Sequence, residues 1–230
     1  MAETHAAEHP AGLAHHFEDL SQQREAAELG MWLFLVTEVM FFGGLFLAYL
    51  VYRSWYPAEF AAGSQTMDLW LGTINTALLL TSSLTMALAV HVAGASDRRM
   101  LLLMLAATIV LGSGFLGIKA VEYHHKYEHG LMPFAGLEFA YQGAEAKGMA
   151  TFFNVYFLMT GLHALHMVIG IGVLLTLWVL AWRGGLLGAR AIIVFNTGLY
   201  WHFVDLVWVY LFPFFYLIAA RGILGSLWGD

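Results

Sequence analysis

Six ionisable or imidazole side chains stand inside or at the ends of long apolar runs, and these residues could do chemistry. They are Glu38, Glu122, His163, His166, His202 and Asp205. A charged side chain at the centre of a bilayer costs about 2.5–3.5 kcal/mol on insertion scales. Each group is therefore expected to be neutral, paired or turned toward other protein. Such groups are candidates for handling protons or contacting lipid headgroups, and the histidines are also candidate metal ligands.

Glu38 lies well inside the first apolar run, between Thr37 and Val39. Two interpretations remain open for this acid. It either handles a proton or faces lipid headgroups, or it is a neutral acid hydrogen-bonded to a neighbouring helix.

His163 and His166 are three residues apart, so a helix would present both on one face. A metal or haem site needs further ligands, and His124, His125 and His129 are expected in a loop at the membrane edge. We therefore expect structural histidines or polar contacts to lipid or a partner, with metal or haem ligation as the alternative.

Two further pairs have the same three-residue spacing: His202 with Asp205, and Lys119 with Glu122. Side chains at this spacing can touch on a helix. We expect His202 and Asp205 to form a polar clamp that lowers the cost of burial. Lys119 and Glu122 are expected to form a stabilising pair at a helix end, with a proton relay as the alternative.

The elements that position these residues are five apolar stretches, each long enough to cross a bilayer as a helix. They cover residues 29–52, 69–93, 100–120, 151–182 and 191–220. Hydrophobic residues make up 60% of the chain and charged residues 11%, which excludes an ordinary soluble domain. The predicted fold is an all-α membrane bundle over residues 29–222, with polar tails at 1–28 and 223–230.

The composition also limits the cofactors that the chain could hold. The sequence contains no cysteine, which excludes thiolate metal sites, iron–sulfur clusters and covalently attached haem in this chain. No basic run supports nucleic-acid binding. The polar tail carries His5, His9, His15 and His16; these could bind metal, but an exposed tail is the simpler interpretation.

The distribution of basic residues favours a cytoplasmic N-terminus. With that orientation the inside carries Arg24, Arg98, Arg99, Arg183 and Arg190, and the outside carries Arg53, Lys119, Lys126, Lys147 and Arg221. The inside charges are denser because four of them stand in two short turns, and positive charge in short loops marks the cytoplasmic side.

Small and hydroxyl residues predict how the helices pack, because they permit close approach and interhelical hydrogen bonds. The predicted packing positions are Gly43, Gly44, Ser113, Gly114, Gly117, Gly161, Gly170 and Gly172, and the second stretch adds Asn75, Thr76, Thr81, Ser82, Ser83 and Thr85.

The order of these motifs resembles subunit III of the haem–copper oxidases, such as cytochrome c oxidase. The resemblance lies in Gly30-Met31-Trp32-Leu33-Phe34, Glu38-Val39-Met40-Phe41-Phe42, Asn75-Thr76, Glu122-Tyr123, Gly161-Leu162-His163-Ala164-Leu165-His166, and Tyr200-Trp201-His202-Phe203-Val204-Asp205 with Trp208. It implies the short, five-helix form, without the two N-terminal helices that complete a lipid-holding cleft in longer members. It also supports a cytoplasmic N-terminus.

The resemblance implies a subunit without a redox centre, which packs on the subunit I that holds haem and copper. It implies that the subunit supports assembly, lipid retention and proton uptake. It also implies that phospholipid is bound and that the protein lies in a bacterial inner membrane. By similarity, the six residues named at the outset are structural or proton- and lipid-associated positions. None is expected to be catalytic or to bind metal.

Other functions remain open on the sequence. One is an accessory subunit of a quinol oxidase or a nitric-oxide reductase. Another is a membrane di-iron enzyme that uses the histidines as ligands. A small transporter is less favoured, because the chain shows no internal repeat.

Overall fold

A computed structural model describes residues 17–95, 97–133, 139–142, 144–184, 186 and 191–217. The helices are α1 (Leu20–Trp55), α2 (Pro57–Gln65), α3 (Leu69–Ala95), α4 (Arg98–Glu128), α5 (Ala146–Trp182) and α6 (Ala191–Phe212), and α6 continues into a π-helical turn at Pro213–Leu217. All but α2 are long and apolar enough to span a membrane. The predicted all-α, five-span architecture is confirmed, and the described part of the chain contains no strand.

Four helices extend beyond their predicted apolar stretches, and α1 and α4 do so by the most residues. α1 begins at Leu20 because the Asp19 side chain accepts a hydrogen bond from the Gln22 N–H at 2.7 Å, which caps the helix. A hydrogen bond from the Ser21 hydroxyl, together with the one from the Gln22 N–H, holds the pKa of Asp19 below its usual value. α4 ends at Glu128 and is capped by His129, and the next residue, Gly130, has a positive φ of 64°, which suits glycine.

The longer α4 corrects one prediction. His124 and His125 belong to this helix, with His125 in its last turn, and His129 caps it, so these histidines do not form a loop. No glycine or proline interrupts the sequence between Gly117 and Gly130, and the helix therefore continues past the end of the apolar run.

The connection between the first two spans contains a helix that the sequence pattern did not predict. Proline at its first position suits α2, because the first helical N–H needs no partner within the helix. Phe60 is fully buried against Phe152 of α5, with ring centroids 5.3 Å apart. Gly63 lets α2 approach closely, since an added Cβ would lie 2.3 Å from the Phe152 ring. α2, the end of α4 and the start of α5 thus form one end of the bundle, here named the loop end.

The spans pack unequally: α6 is the most buried and α1 the least. α3 and α4 form an extensive antiparallel hairpin, and α6 packs on α3, α5 and α1. At the opposite end from α2, Arg98 Nε donates to the Ala181 carbonyl at 2.9 Å, and the guanidinium also donates to the Trp182 carbonyl. A cation at the last carbonyls of α5 is electrostatically favourable.

Hydroxyl groups of α3 join it to α6, as predicted. Trp208 Nε1 donates to Thr76 Oγ1 at 3.1 Å, and Trp201 Nε1 donates to Ser82 Oγ at 2.7 Å. These bonds satisfy indole N–H groups that would otherwise lie buried without a partner.

The predicted glycine contacts hold only in part. A Cβ added at Gly170 would lie 3.0 Å from the Trp201 ring. Gly112, which was not predicted, lies even closer to the same ring, at 2.8 Å. No atom lies within 4 Å of a Cβ added at Gly43, Gly44, Gly117 or Gly172. For these four the packing prediction is wrong within this chain, because they face away from its other helices.

The π-helical turn at the end of α6 begins at Pro213, which has no N–H for the α-helical pattern and forces the helix to widen. The Phe214 carbonyl accepts a hydrogen bond from the Tyr49 hydroxyl at 2.5 Å. The turn also brings the Tyr216 hydroxyl to α4, where it contacts Glu122.

Candidate functional site

Glu38 of α1 meets His166 of α5. Glu38 Oε2 lies 3.1 Å from His166 Nε2, and the two side chains are 17% and 14% exposed. His166 Nδ1 lies 2.8 Å from the Leu162 carbonyl, which only an N–H can satisfy, so Nδ1 carries a proton. Nε2 is therefore the nitrogen that faces the acid.

A hydrogen bond between these two facing atoms requires one proton between them. Either a protonated Glu38 donates to a neutral His166, or a carboxylate accepts from an imidazolium. Both forms have zero net charge, which lowers the cost of placing the pair in a membrane. The geometry therefore permits a proton to be held and passed between Glu38 Oε2 and His166 Nε2.

Aromatic side chains border the pair. The Phe42 ring meets His166 edge-on with centroids 5.2 Å apart, and Phe41 lies at 6.5 Å. Phe42 is buried, but Phe41 is exposed on the outer surface of α1. The polar pair thus lies at the flank of the bundle, where a lipid or another subunit can approach it.

His163 contacts different groups from His166, although they share a helix face. Its side chain is fully buried, and Nε2 donates to the Val204 carbonyl of α6 at 3.1 Å. The rings of Phe115 and Trp208 lie at 5.4 and 5.3 Å. His163 therefore serves as a packed, hydrogen-bonded core residue, and its Nδ1 forms no hydrogen bond to any described residue.

Lys119 and Glu122 form the predicted pair, but deep in the bundle rather than at an edge. Lys119 Nζ lies 3.0 Å from Glu122 Oε2, and both side chains are 5% exposed. Lys119 also donates to the Tyr156 and Tyr216 hydroxyls at 3.0 and 2.8 Å. Those hydroxyls in turn donate to Glu122 Oε1 at 2.7 and 2.6 Å. We name these four residues the buried ion cluster.

The buried ion cluster joins three elements, since its members come from α4, α5 and the π-helical turn. The ring of Trp208 lies 4.9 Å from Lys119 Nζ and adds a cation–π contact. Sequence reasoning missed both tyrosines, because nothing in their local pattern separates them from other membrane tyrosines. The two tyrosines become hydrogen-bond partners of the ion pair only because the three elements meet in the folded structure.

The predicted contact between His202 and Asp205 is wrong. His202 Nδ1 lies 2.7 Å from the Ser83 hydroxyl of α3. Neither oxygen of the buried Asp205 forms a hydrogen bond of normal geometry, although Ser83 lies nearby. The two side chains point to different sides of α6, since His202 is partly exposed and Asp205 faces the core. The imidazole therefore contacts the Ser83 hydroxyl of α3 and not the Asp205 carboxyl.

Within the described residues, no three His, Asp or Glu side chains converge closely enough to hold a metal ion. The predictions for His5, His9, His15 and His16, for Arg190 and Arg221, and for the 223–230 tail lie outside the described residues.

Comparison with known proteins agrees with the motif pattern. Residues 14–220 match the family model described as cytochrome c oxidase subunit III. The chain is 30% identical to cytochrome c oxidase subunit 3 of Alkalihalophilus pseudofirmus, over 92% of this chain and 96% of that protein. It is 35% identical to cytochrome c oxidase subunit 3 of Bacillus subtilis, over 84% and 87%.

Similarity also extends to quinol-oxidising relatives. The chain is 29% identical to quinol oxidase subunit 3 of Bacillus spizizenii, over 85% of this chain and 88% of that protein. With five apolar spanning helices and bacterial relatives, the protein is an integral bacterial membrane protein and part of an oxidase complex. The chain belongs to the cytochrome c oxidase subunit III family.

Proposed function

We propose that this chain is the non-catalytic subunit III of a proton-pumping haem–copper terminal oxidase. It packs against the subunit I that carries haem and copper, and it supports assembly, lipid retention and proton uptake there. Family membership supports this proposal.

The observation that carries the proposal is the contact between Glu38 and His166. An acid–imidazole pair at the flank of the bundle can pass a proton between its two members without a change in the net charge of the pair. It can also donate to, or accept from, the polar part of a lipid. We assign both functions to this pair. We assign structural roles to His163, His202 and Glu122, which contact neighbouring helices, and to the buried Asp205.

The experiment is the substitution Glu38→Gln in the assembled oxidase. We expect assembly to be retained, because an interhelical hydrogen bond in a membrane protein contributes about 0.6 kcal/mol on average. The number of turnovers before inactivation, or the rate of proton uptake, should fall, because glutamine cannot release a proton. Turnover is measured by oxygen consumption and uptake by a pH-sensitive dye.

Glu25→Gln is the matched control, since Glu25 lies on the same helix, is exposed, and precedes the apolar part of α1. It should behave like the wild type in both assays. If Glu38→Gln also retains wild-type lifetime and proton uptake, the pair has only a structural role.

A second candidate function is subunit III of a quinol oxidase, which the relatives named quinol oxidase subunit 3 favour. Purification with the haem-containing partner, followed by assays with reduced cytochrome c and with quinol, separates the two functions. The alternative of a di-iron enzyme needs several converging ligands, and no three His, Asp or Glu side chains converge in the part of the chain that the structure describes.

A further inference from the structure

Glu38 lies at the centre of an aromatic face of α1. Phe34 and Phe42 stand four positions before and after it, so the three side chains follow one another on one side of the helix. Both rings contact α6. The Phe34 ring centroid lies 6.1 Å from that of Tyr200, and the Phe42 ring centroid lies 6.0 Å from that of Phe203. α6 therefore packs on α1 one turn to either side of the acid.

Tyr200 also contacts the helix that carries the other member of the pair. Its hydroxyl donates to the backbone carbonyl of His166 at 2.9 Å. In an α-helix this carbonyl also faces the N–H of the residue four positions on, which here is Gly170. A Cβ added at Gly170 would lie 3.2 Å from Cε1 of the Tyr200 ring, so the missing side chain gives the tyrosine access to α5. One side chain of α6 thus contacts both α1 and α5 beside the pair.

The contact within the pair is sensitive to the separation of these two helices. The imidazole of His166 moves with the α5 backbone, because its Nδ1 lies 2.8 Å from the Leu162 carbonyl of the same helix. The distance of 3.1 Å between Glu38 Oε2 and His166 Nε2 is already near the upper end of the usual range for such hydrogen bonds. A further separation of α1 and α5 by a fraction of an ångström would therefore weaken the bond.

We propose that Tyr200 is a positioning residue, which holds α1 and α5 at the separation that keeps Glu38 and His166 in hydrogen-bond contact. This inference rests on the proposed function, in which a proton passes between the two side chains. Tyr200 is 8% exposed and acts through its ring on α1 and its hydroxyl on the α5 backbone. Proton transfer depends steeply on distance, since a misplacement of 1 Å can lower a rate about 100-fold.

The test substitution is Tyr200→Phe, which keeps the ring on α1 and removes only the hydroxyl. The fold should be retained, because a single interhelical hydrogen bond contributes little to the stability of a membrane protein. Infrared spectra of the full chain in lipid nanodiscs are compared for the wild type, Glu38→Gln and Tyr200→Phe. The bands that Glu38→Gln removes belong to the Glu38 carboxyl, and their frequencies report its hydrogen bonding. We expect these bands to shift in Tyr200→Phe, because the bond to His166 is weakened.

The assembled oxidase gives the second measurement. The quantity that Glu38→Gln lowers, turnover lifetime or the rate of proton uptake, should fall by about twofold to tenfold in Tyr200→Phe. The matched control is Tyr210→Phe on the same helix. The Tyr210 ring also contacts α1, with its centroid 6.0 Å from that of Phe46, but it lies about 15 Å further along α6. This control should leave the Glu38 bands and the oxidase at wild-type values.

Unshifted Glu38 bands in Tyr200→Phe overturn the inference, and so does an equal shift in Tyr210→Phe. Wild-type performance of Tyr200→Phe in an oxidase that Glu38→Gln impairs overturns it as well, and in that case the proposed function stands. The proposed function fails separately. If Tyr200→Phe shifts the bands while neither it nor Glu38→Gln changes turnover lifetime or proton uptake, Tyr200 positions the pair but the pair has only a structural role.

Discussion

The substitution Lys119→Met tests the energetics of the buried ion cluster. It removes the ammonium that lies 3.0 Å from Glu122 Oε2, while both side chains are 5% exposed. Methionine has nearly the same length and keeps the packing against the surrounding rings. The remaining carboxylate would retain only its two tyrosine donors.

The magnitude follows from the cost of leaving a charge unpaired. Removing one partner of a buried ion pair costs about 3–5 kcal/mol. The two tyrosine hydroxyls continue to donate to Glu122, and they relieve part of the cost. We therefore expect the free energy of unfolding to fall by about 3 kcal/mol, the lower end of that range.

The double variant Lys119→Met with Glu122→Gln identifies the cause. Because it removes both charges, it should be more stable than Lys119→Met alone, with a coupling energy of about 2 kcal/mol. Lys147→Met, at an exposed site, should change stability by no more than about 0.5 kcal/mol.

Unfolding of the full chain in mild detergent is followed by tryptophan fluorescence during titration with sodium dodecyl sulfate. Trp208 is a suitable probe because its ring lies 4.9 Å from Lys119 Nζ. Wild-type stability of Lys119→Met would refute the reasoning. A double variant no more stable than Lys119→Met would show that packing, and not charge, causes the loss.

Two further predictions concern the core. Asp205→Asn should leave the free energy of unfolding unchanged or raise it by up to about 1 kcal/mol, because neither carboxylate oxygen is hydrogen-bonded and the amide carries no charge. A loss of stability in a thermal unfolding assay would show that the carboxyl has a partner. Gly112→Ala should cost about 1–3 kcal/mol, because the new methyl group would lie 2.8 Å from the Trp201 ring. Gly117→Ala is the control on the same helix, and it should be neutral or stabilising because its methyl group meets no atom within 4 Å. Equal melting temperatures for the two alanine variants would contradict the close approach of Gly112 to the Trp201 ring.

Much of the architecture was predictable from local sequence. A run of about 20 apolar residues can satisfy its backbone in a membrane only as a helix, so five such runs indicate five spans. The positions of Glu38 and His166 within those runs also marked them as functional candidates. Their contact was not predicted, because they are separated by more than a hundred positions and belong to helices whose pairing the sequence pattern does not show.

The sequence by itself determined the number of spans, the class of fold and the small set of polar residues that the membrane must tolerate. Tertiary structure decided which of these residues meet. The three-residue spacing correctly paired Lys119 with Glu122. It wrongly paired His202 with Asp205, because the contact of His202 is the Ser83 hydroxyl of α3. Spacing along one helix fixes only which groups can approach each other. The groups that adjacent helices supply decide which of the possible contacts forms, because a buried polar atom takes the partner with the best geometry.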